Sequence, residues 1–294
     1  MKQPVNRTAE VSASSEASPI PSGGGLRGLG YVRRPAPGAL FDEHSMSWKL
    51  VSRWSVLAGG AAAVLLQVAH PSVGAGVNQH SSYATDPLGR LERTLTSMLA
   101  ISFGSPEQRE AVLAELRRLH RPVTGTRDDG ESYRALDPEL QMWVWATLIH
   151  VGLAVERRYE HRLTEAERRT YYLESRTLAA QFRIPDHMIP ADLDAFEDYM
   201  ADTISSLEVT DDARQICREI IRPELPWTTP KMFAPLEWLT VELLDDLLRE
   251  DYGLSPLSPA RSALMRQMKG TTRWLLPKLP DRVMANPLNK RAFG

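Results

Sequence analysis

Cysteine is nearly absent from this chain: Cys217 is the single example in 294 residues. A lone cysteine excludes an intramolecular disulfide, a cysteine-based zinc site, an iron–sulfur cluster and covalent CxxCH haem attachment. Because Cys217 lies in TDDARQICREII, an amphipathic helical pattern, we expect a packed thiol rather than a nucleophile or a thiolate ligand.

The chain also lacks a long hydrophobic run and an excess of charge of either sign. Its most apolar stretch, 56–69, is shorter than the roughly 20 residues of a bilayer span, so we expect a buried core helix, with membrane association as the lesser alternative. The N-terminal segment has no apolar region typical of a secretory signal, which favours a cytoplasmic location. The net charge of −2 gives no reason to expect nucleic acid as a partner.

The spacings of the familiar multi-residue metal and phosphate sites are missing as well. There is no HExxH, which excludes a zincin site, and no histidine has a glutamate three residues before it, which excludes the ExxH pairs of helical di-iron proteins. The glycines at 23–25 lie in a Ser- and Gly-rich tail rather than between a strand and a helix, so they do not predict a phosphate loop.

The chain shows helical periodicity almost throughout, from Phe41 onward. No run of alternating β-branched residues predicts a sheet, and residues 1–40 have the Ser-, Pro- and Gly-rich composition of a disordered tail. We therefore predict an all-α protein, a single globular domain over 41–294 built from roughly ten helices. Caps, prolines and glycines predict helices at 45–57, 56–69, 87–104, 106–121, 138–159, 164–181, 192–205, 211–221, 235–249 and 259–275.

The segment 67–104 concentrates polar residues in an otherwise apolar block. Arg90, Arg93 and Thr94 lie three and four residues apart, so they share one helical face. The apolar residues between and after them predict a largely buried helix, and a buried charge without a partner is too costly to keep. The pattern indicates a binding site or, alternatively, simple pairing of the arginines with acidic residues of the block, Asp86 and Glu92.

His120 is the histidine in the setting most typical of a ligand. In SPEQREAVLAELRRLHRPV it stands one turn after Leu116 and two turns after Leu113, which predicts a position on the buried side of a helix. A lone imidazole there, beside Arg117, suits a haem iron or an internal hydrogen-bond network. The residues alone leave both readings open.

Structural roles are favoured for the other histidines. His70 precedes a proline at a helix end, where it can cap carbonyl groups, and a structural role is also favoured for His80. We expect His150 to be satisfied in the core, on the same helix as the core tryptophans Trp143 and Trp145. Charged or turn-forming neighbours predict a surface location for His44, His161 and His187.

Several segments, in order, resemble the oxygenase family that includes latex-clearing proteins (rubber oxygenases) and the fungal mpaB-type oxygenases. They are AHPSVGAGVNQHSSYATDPLGRLERT, ISFG, RRLHRPVTG, YRALDPELQMWVWATL, YYLESRTLAAQFRIPDHMIP and DAFEDYM, with LPDRVMANPLNKRA near the C-terminus. The resemblance implies an all-α protein that holds a b-type haem and uses dioxygen to cleave carbon–carbon double bonds in isoprenoid chains.

The resemblance also implies roles for residues on both sides of a haem. His120 corresponds to the proximal iron ligand, in the R-x-x-H setting that begins at Arg117, and Arg90 and Thr94 correspond to the distal arginine and threonine. Arg93 stands where latex-clearing proteins have a lysine that can cap the iron. Because arginine has no lone pair to donate, the resemblance implies a distal position that is open or water-bound.

Two further residues are assigned to the cofactor by the same comparison. Thr124 stands four residues after His120, where the family usually has an arginine, so one contact to a propionate or to the ligand's surroundings differs here. His70, in the AHPSVGAGV segment, is also counted among the expected cofactor-binding residues.

We therefore expect a haem-b-dependent oxygenase that acts with dioxygen on a hydrophobic, isoprenoid-like small molecule. In this reading His120 binds iron, and Arg90, Arg93 and Thr94 are the catalytic residues. The missing secretion signal argues against a solid extracellular polymer as substrate. Two alternatives stay open: a haem-binding protein without oxygenase activity, such as a carrier or a peroxidase-like protector, and a haem-free helical protein whose arginines clamp an acidic ligand.

Overall fold

The fold is an assembly of helices with one short hairpin, which confirms the predicted all-α class. The computed structural model describes residues 34–53, 55–80, 87–221 and 234–279, and of 56–57 and 87–92 the backbone alone. In these ranges the helices are α1 (Met46–Val51), α2 (Ser55–Ala58), α3 (Gly60–Ala69), α4 (Pro71–His80), α5 (Pro87–Phe103), α6 (Pro106–His120), α7 (Pro138–Val155), α8 (Glu165–Gln181), α9 (Leu193–Ser206), α10 (Asp211–Ile221), α11 (Ala234–Leu243), α12 (Asp246–Asp251) and α13 (Pro259–Leu275), and the strands are β1 (Thr124–Thr126) and β2 (Ser132–Arg134).

Caps and prolines start most of the helices where the sequence predicts. At α6 the Ser105 hydroxyl accepts from the backbone N–H of Gln108, and the Gln108 side chain accepts from the N–H of Ser105, which forms a capping box. Thr164 and Glu167 repeat this arrangement at α8. Helices α10 and α13 have the predicted bounds.

Three helix predictions differ from the structure: two predicted helices are each divided in two, and one helix was not predicted. The single helix predicted at 45–57 is divided into α1 and α2, and the next helix begins only at Gly60. The helix predicted at 235–249 breaks after α11, because Asp245 accepts from the N–H of Leu247 and so caps a new helix, α12. Helix α4 was not predicted at all, although Pro71 is well placed as a first helical residue.

The antiparallel hairpin of β1 and β2 is also a departure from the sequence prediction. Thr124 pairs with Arg134 and Gly125 with Tyr133. Strands of three residues are too short to show an alternating pattern. Gly125 is required by a close approach, because a Cβ there would lie 2.6 Å from the Tyr133 hydroxyl oxygen and 2.6 Å from Oε1 of Gln79.

The core confirms the expected burial of the tryptophans and of the cysteine. Trp143 and Trp145 are each 2% exposed, and their indole N–H groups donate to the carbonyl oxygens of Gln67 and Ser175, both at 3.1 Å. Cys217 is buried in the same cluster of apolar side chains. Among the described helices, none is by itself long and apolar enough to cross a membrane; α3 and α4 meet that length and composition only as a pair bent by 107°.

Two buried ion pairs hold the π-helical turn, residues 156–160, that follows α7. Glu156 accepts from Nε of Arg168 at 2.8 Å and also from two backbone N–H groups of the next loop. Arg53 donates to Glu160 at 2.8 Å from the segment between α1 and α2. Buried charges are kept only when they are paired in this way, so the pairs fix the segment between α1 and α2, together with α8, to the end of α7.

The first described residues are already attached to the helices. Ala36 donates its N–H to the carbonyl oxygen of Phe103 at 2.9 Å, and Phe41 donates to Ser102 at 3.1 Å. Residues 1–33, which make up most of the predicted tail, lie outside the described residues. The domain limits of 41–294 stay a prediction.

Candidate functional site

The candidate residues on α5 and α6 lie at one end of a helical hairpin. A link of two residues, 104–105, joins α5 to α6, and the two helices pack against each other. Arg93 stands ten residues before the end of α5 and Leu116 ten residues after the start of α6, so each is roughly 15 Å along its helix from the link. The start of α5 and the last turn of α6, where His120 stands, are therefore both far from this link.

His120 is held in one tautomer by its own helix. Its Nδ1 lies 2.8 Å from the carbonyl oxygen of Leu116. Because a carbonyl can only accept, Nδ1 carries the proton, and the lone pair of the neutral ring is on Nε2. Metal-bound histidines typically have this arrangement, in which one ring nitrogen donates to a backbone carbonyl and the other binds the metal. The donor chemistry of His120 therefore fits an axial ligand of haem iron.

The prediction that His120 lies on the buried side of α6 is wrong, because the residue is exposed. Leu113 is buried and Leu116 half-buried, so burial along this stripe decreases toward the end of the helix. A side chain in the last turn of α6 is buried only if another element packs over the end of the helix. The described elements do not pack over His120. Pro122 already marked this position as a helix end in the sequence.

Arg93 and Thr94 are exposed near the start of α5. Helix α5 is continuous, so the backbone keeps Arg90 on the same face, one turn before Thr94. The side chains of Arg90 and Glu92 and the predicted cap Asp86 lie outside the described residues. Farther along α5 the predicted burial is confirmed for Leu99 and Phe103, while two apolar residues nearer the site are half-buried, Leu95 and Met98.

The β1–β2 hairpin brings Thr124 and His80 to the C-terminal end of α6. Thr124 is exposed, and its carbonyl oxygen accepts from Nε2 of His80 at 3.0 Å. The carbonyl oxygen of His120 accepts from the N–H of Val123 at 3.1 Å. The C-terminal ends of α4 and α6 and the start of β1 therefore meet, and His80 has the predicted structural role.

Arg117 is half-buried on α6, and its guanidinium binds Glu110 at 2.9 Å. Since Glu110 is largely exposed, this pair is of the kind that contributes little to stability and exchanges readily for another anion. Arg117 is therefore able to bind a carboxylate ligand at the end of α6.

His70 lies apart from these residues, at the bend between α3 and α4. Its Nδ1 accepts from the backbone N–H of Ser72 at 3.2 Å, so it caps an amide of α4 rather than the carbonyl groups that were predicted. This contact places the proton on Nε2, which makes the ring a donor. Burial and the nearby Arg127 guanidinium lower the pKa of His70. Helix α4 separates His70 from His80 by roughly 15 Å.

A surface crevice of about 440 Å³ lies elsewhere, between residues 40–45 and α8. Glu174 in its lining accepts from the N–H groups of Met46 and Ser47 at 3.0 and 2.7 Å, which caps α1. The carboxylate therefore has a structural role. In the part of the chain that the structure describes, no group of three or more His, Cys, Asp and Glu side chains is arranged to hold a metal ion, whereas a haem iron needs only one protein ligand.

The remaining histidines are His150 and three exposed residues. His44, His161 and His187 are exposed as predicted, and His150 is half-buried on α7. Burial, with the guanidinium groups of Arg158 and Arg157, lowers the pKa of His150 to about 4, while Asp245 acts in the opposite direction. His150 is thus a neutral imidazole at physiological pH. Sequence reasoning missed its charged surroundings, because Asp245 is distant in the chain.

Comparison with known proteins identifies the family. The family described as "ER-bound oxygenase mpaB/B'/Rubber oxygenase, catalytic domain" matches residues 48–274, which include every candidate site residue. An uncharacterized protein of Mycobacterium bovis and one of Mycobacterium tuberculosis are each 27% identical to the chain over 180 residues, 60% of this chain and 71% of each relative. No solved structure shows a significant match. By the extent of the family match, the chain belongs to the mpaB/rubber oxygenase family of oxygenases.

Proposed function

We propose that the chain is a haem-b-dependent oxygenase that acts with dioxygen on a hydrophobic small molecule of isoprenoid type. Membership of an oxygenase family supports the reaction class. The single observation that carries the haem assignment is the hydrogen bond from Nδ1 of His120 to the Leu116 carbonyl, which leaves Nε2 free as a donor to iron.

His120 binds and orients the cofactor in this proposal. The Leu116 carbonyl holds the imidazole in one tautomer, with the lone pair on Nε2. The bound haem supplies the activation of dioxygen, and the protein supplies position and electrostatics. His120 is exposed among the described residues, so its ring is accessible to a large planar ligand.

Arg90, Arg93 and Thr94 are the catalytic residues in this proposal. They share one face of α5 at the level of the last turns of α6. With haem bound, these residues would donate hydrogen bonds to negative charge that develops on oxygen during the reaction. Because arginine donates hydrogen bonds but has no lone pair, Arg93 would act on a bound group by hydrogen bonding and would not be a ligand of the iron.

Apolar and polar residues around His120 suit the rest of a haem. Leu116 and Leu119 on α6 and Leu95 on α5 are half-buried, so a bound macrocycle or a hydrophobic substrate gains free energy by covering them. Arg117 is placed to bind a propionate. Thr124, with a hydroxyl at the end of α6, is proposed as a further polar contact of the cofactor. His70 stands at the other end of α4 and is not assigned to the cofactor.

Replacing the proposed ligand tests the assignment. Wild-type protein purified after expression with a haem precursor is expected to show a Soret band, and His120→Ala is expected to lose it or to show altered spectra with added imidazole or carbon monoxide. His187→Ala, which removes another exposed imidazole, is expected to retain the wild-type spectrum. Unchanged spectra in His120→Ala contradict the axial assignment, and a wild type without a Soret band contradicts the haem proposal.

The two alternatives give different results in the same experiment. A haem-binding protein without oxygenase activity gives the Soret band but no oxygen-dependent product from isoprenoid substrates. A haem-free ligand-binding protein gives no band, and binds carboxylated apolar ligands through the arginines of α5. The second alternative is included because Arg93 and Thr94 are exposed, so a ligand can reach them.

A further inference from the structure

Helix α13 presents most of its side chains to solvent, including large apolar ones. Trp274 is 65% exposed, Leu264 43% and Met268 41%. Large apolar side chains that are exposed occur at seven described positions, and four of them lie on α13, namely Leu264, Met268, Trp274 and Leu275. Scattered exposed leucines are ordinary, whereas a group on one helix marks an interaction surface.

The exposed apolar residues are arranged by the helix and not scattered around it. At roughly 100° per residue, Leu264, Met268 and Leu275 fall within an arc of roughly 40°. Trp274 extends this face, and the arc of roughly 120° that contains all four carries no charged residue of α13. This uncharged face lies roughly opposite Met265 and Leu276, which are buried against the protein.

The charges on α13 are all of one sign. Four basic residues and no acidic residue occur between Pro259 and Leu275, and Lys278 follows at once. Arg261 lies just beyond one edge of the uncharged face by the same helical geometry. At the other edge Nζ of Lys278 lies 3.6 Å from the ring centre of Trp274, whereas Arg266 lies on the far side of the helix. An uncharged face with a tryptophan, bordered by basic residues, is typical of helices that lie in the plane of a membrane surface.

The opposite side of α13 is fixed firmly to the protein, so the face has a definite orientation. Lys269 binds Glu242, which also accepts from the Tyr159 hydroxyl. Arg273 donates to the carbonyl oxygens of Arg158 and Arg157 at 3.0 and 2.8 Å. The other basic residues, Arg261, Arg266 and Lys278, are exposed. Arg261 lies 5.3 Å from the ring centre of Trp238 and Lys278 lies against Trp274, so these two are the basic groups beside the uncharged face.

We propose that the uncharged face of α13 docks the protein on the surface of a membrane that contains anionic lipids. Charge favours this occupant, because two copies of α13 placed face to face bring only positive charge together. The residues after α13, at 280–294, contain three basic residues and one acidic residue, so they do not neutralise the helix either. Apolar side chains enter the interface while Arg261 and Lys278 contact lipid phosphates.

This docking does not depend on the proposed haem chemistry. Loss of the Soret band in His120→Ala leaves vesicle binding unchanged, and loss of vesicle binding leaves the Soret band unchanged. If both proposals hold, the docked protein takes its hydrophobic substrate from the same membrane.

Sedimentation of the full chain with lipid vesicles tests the surface. Binding is expected with vesicles of phosphatidylcholine mixed with phosphatidylglycerol, and is expected to weaken as salt is raised and on phosphatidylcholine alone. Arg261→Gln with Lys278→Gln is expected to weaken it roughly 30-fold, and Leu264→Gln with Trp274→Gln at least about tenfold. The matched controls, Arg134→Gln with Arg218→Gln and Leu173→Gln with Leu247→Gln, change exposed residues of other elements and are expected to bind as wild type.

A fluorescent probe locates the contact on the helix. Cys217 is the only cysteine and is buried, so Met268→Cys can be labelled selectively with an environment-sensitive dye. The label is expected to shift to the blue and to be shielded from aqueous quenchers when anionic vesicles are added, while a label at Leu173→Cys is not. Folded variants are identified by unchanged circular dichroism and thermal unfolding.

Three results would overturn the proposal. The first is no binding to anionic vesicles, which includes the case in which an acidic protein binds this face instead. The second is shielding of the label at position 268 without vesicles, which means that the chain itself covers the face. The third is self-association that Leu264→Gln abolishes, which means that the face joins two copies.

Discussion

His150 shows how strongly the surroundings of one side chain can set its charge. The ordinary pKa of histidine is near 6.5, and in this fold burial and two guanidinium groups lower it to about 4. Between these two values the unfolded chain binds more protons than the folded chain. The stability contributed by neutral His150 is therefore complete above about pH 6.5 and is lost as the pH falls toward 4.

This difference predicts an acid-sensitive stability. Between pH 7 and pH 5 the free energy of unfolding is expected to fall by about 2 kcal/mol through His150. His150→Gln is expected to remove that part of the pH dependence, whatever its stability at neutral pH, and His187→Gln at an exposed position is expected to keep it. Urea unfolding at both pH values measures the difference. Equal pH dependence in wild type and His150→Gln would show that another group is responsible.

The sequence could predict which residue types form the candidate site and which helices carry them, but not how exposed each side chain is. The spacing of Arg90, Arg93 and Thr94 predicts a shared face, and the backbone of α5 has it. The exposure of His120 could not be predicted from its apolar spacing, because burial depends on which element covers the end of α6. The tautomer of His70 was missed for a similar reason, since it is set by the amide of Ser72 after the bend.

At the scale of elements, the link between α5 and α6 sets the alignment of the candidate site. Gly104 is buried in this link, and a Cβ there would lie 2.4 Å from the carbonyl oxygen of Ala100 and 2.9 Å from Oε1 of Gln108. A contact of this kind with backbone requires a shift of the helix end. Any shift here changes the level of Arg93 relative to His120.

Gly104→Ala is therefore expected to reduce both stability and haem binding. We expect a loss of about 1–3 kcal/mol in the free energy of unfolding, and weaker haem retention by titration monitored at the Soret band. Gly270→Ala is the control, because a Cβ at this helical position meets no atom within 4 Å. It is expected to be neutral or to stabilise by up to about 1 kcal/mol. Equal effects of the two changes would mean that the link does not control the site.

Element boundaries were predictable where the signal is a local side-chain contact. The capping boxes at Ser105 and Thr164 are such contacts, and α6 and α8 begin there. Helix α4 was missed because its sequence, PSVGAGVNQH, contains residues of low helix propensity, namely Gly74, Gly76 and Asn78. The helix is stabilised by packing against α3, α10 and the β1–β2 hairpin. The hairpin was missed because its strands are tied to Gln79 and His80, which are distant in sequence.

At the scale of the whole molecule, a bound haem is expected to stabilise the fold. A ligand that binds only the folded chain raises its stability in proportion to the logarithm of its free concentration over Kd, about 2.7 kcal/mol at a hundredfold excess over Kd. For a domain of this size, that corresponds to a rise of roughly 5–10 °C in Tm. The rise is expected in wild type and in His187→Ala, and to be much smaller in His120→Ala.

Metal chelation provides the control for this measurement. EDTA is expected to leave Tm unchanged, because the proposed iron is held by a porphyrin and by one protein ligand rather than by a cluster of side chains. Differential scanning fluorimetry with and without haem and EDTA gives all the values. A fall in Tm caused by EDTA alone would point to a different metal site and would contradict the proposed cofactor.

The placement of the candidate residues on consecutive elements has a consequence for the order of folding. Arg90 to Thr124 lie on α5, α6 and β1, so the contacts that align them join nearby parts of the chain. Such contacts need little loop closure and form quickly. By contrast, Arg273 reaches Arg157 and Arg158 over sequence separations of 116 and 115 residues. The nascent protein is therefore expected to align its histidine and arginines before its last long helix docks, so a haem could associate with a partly folded chain.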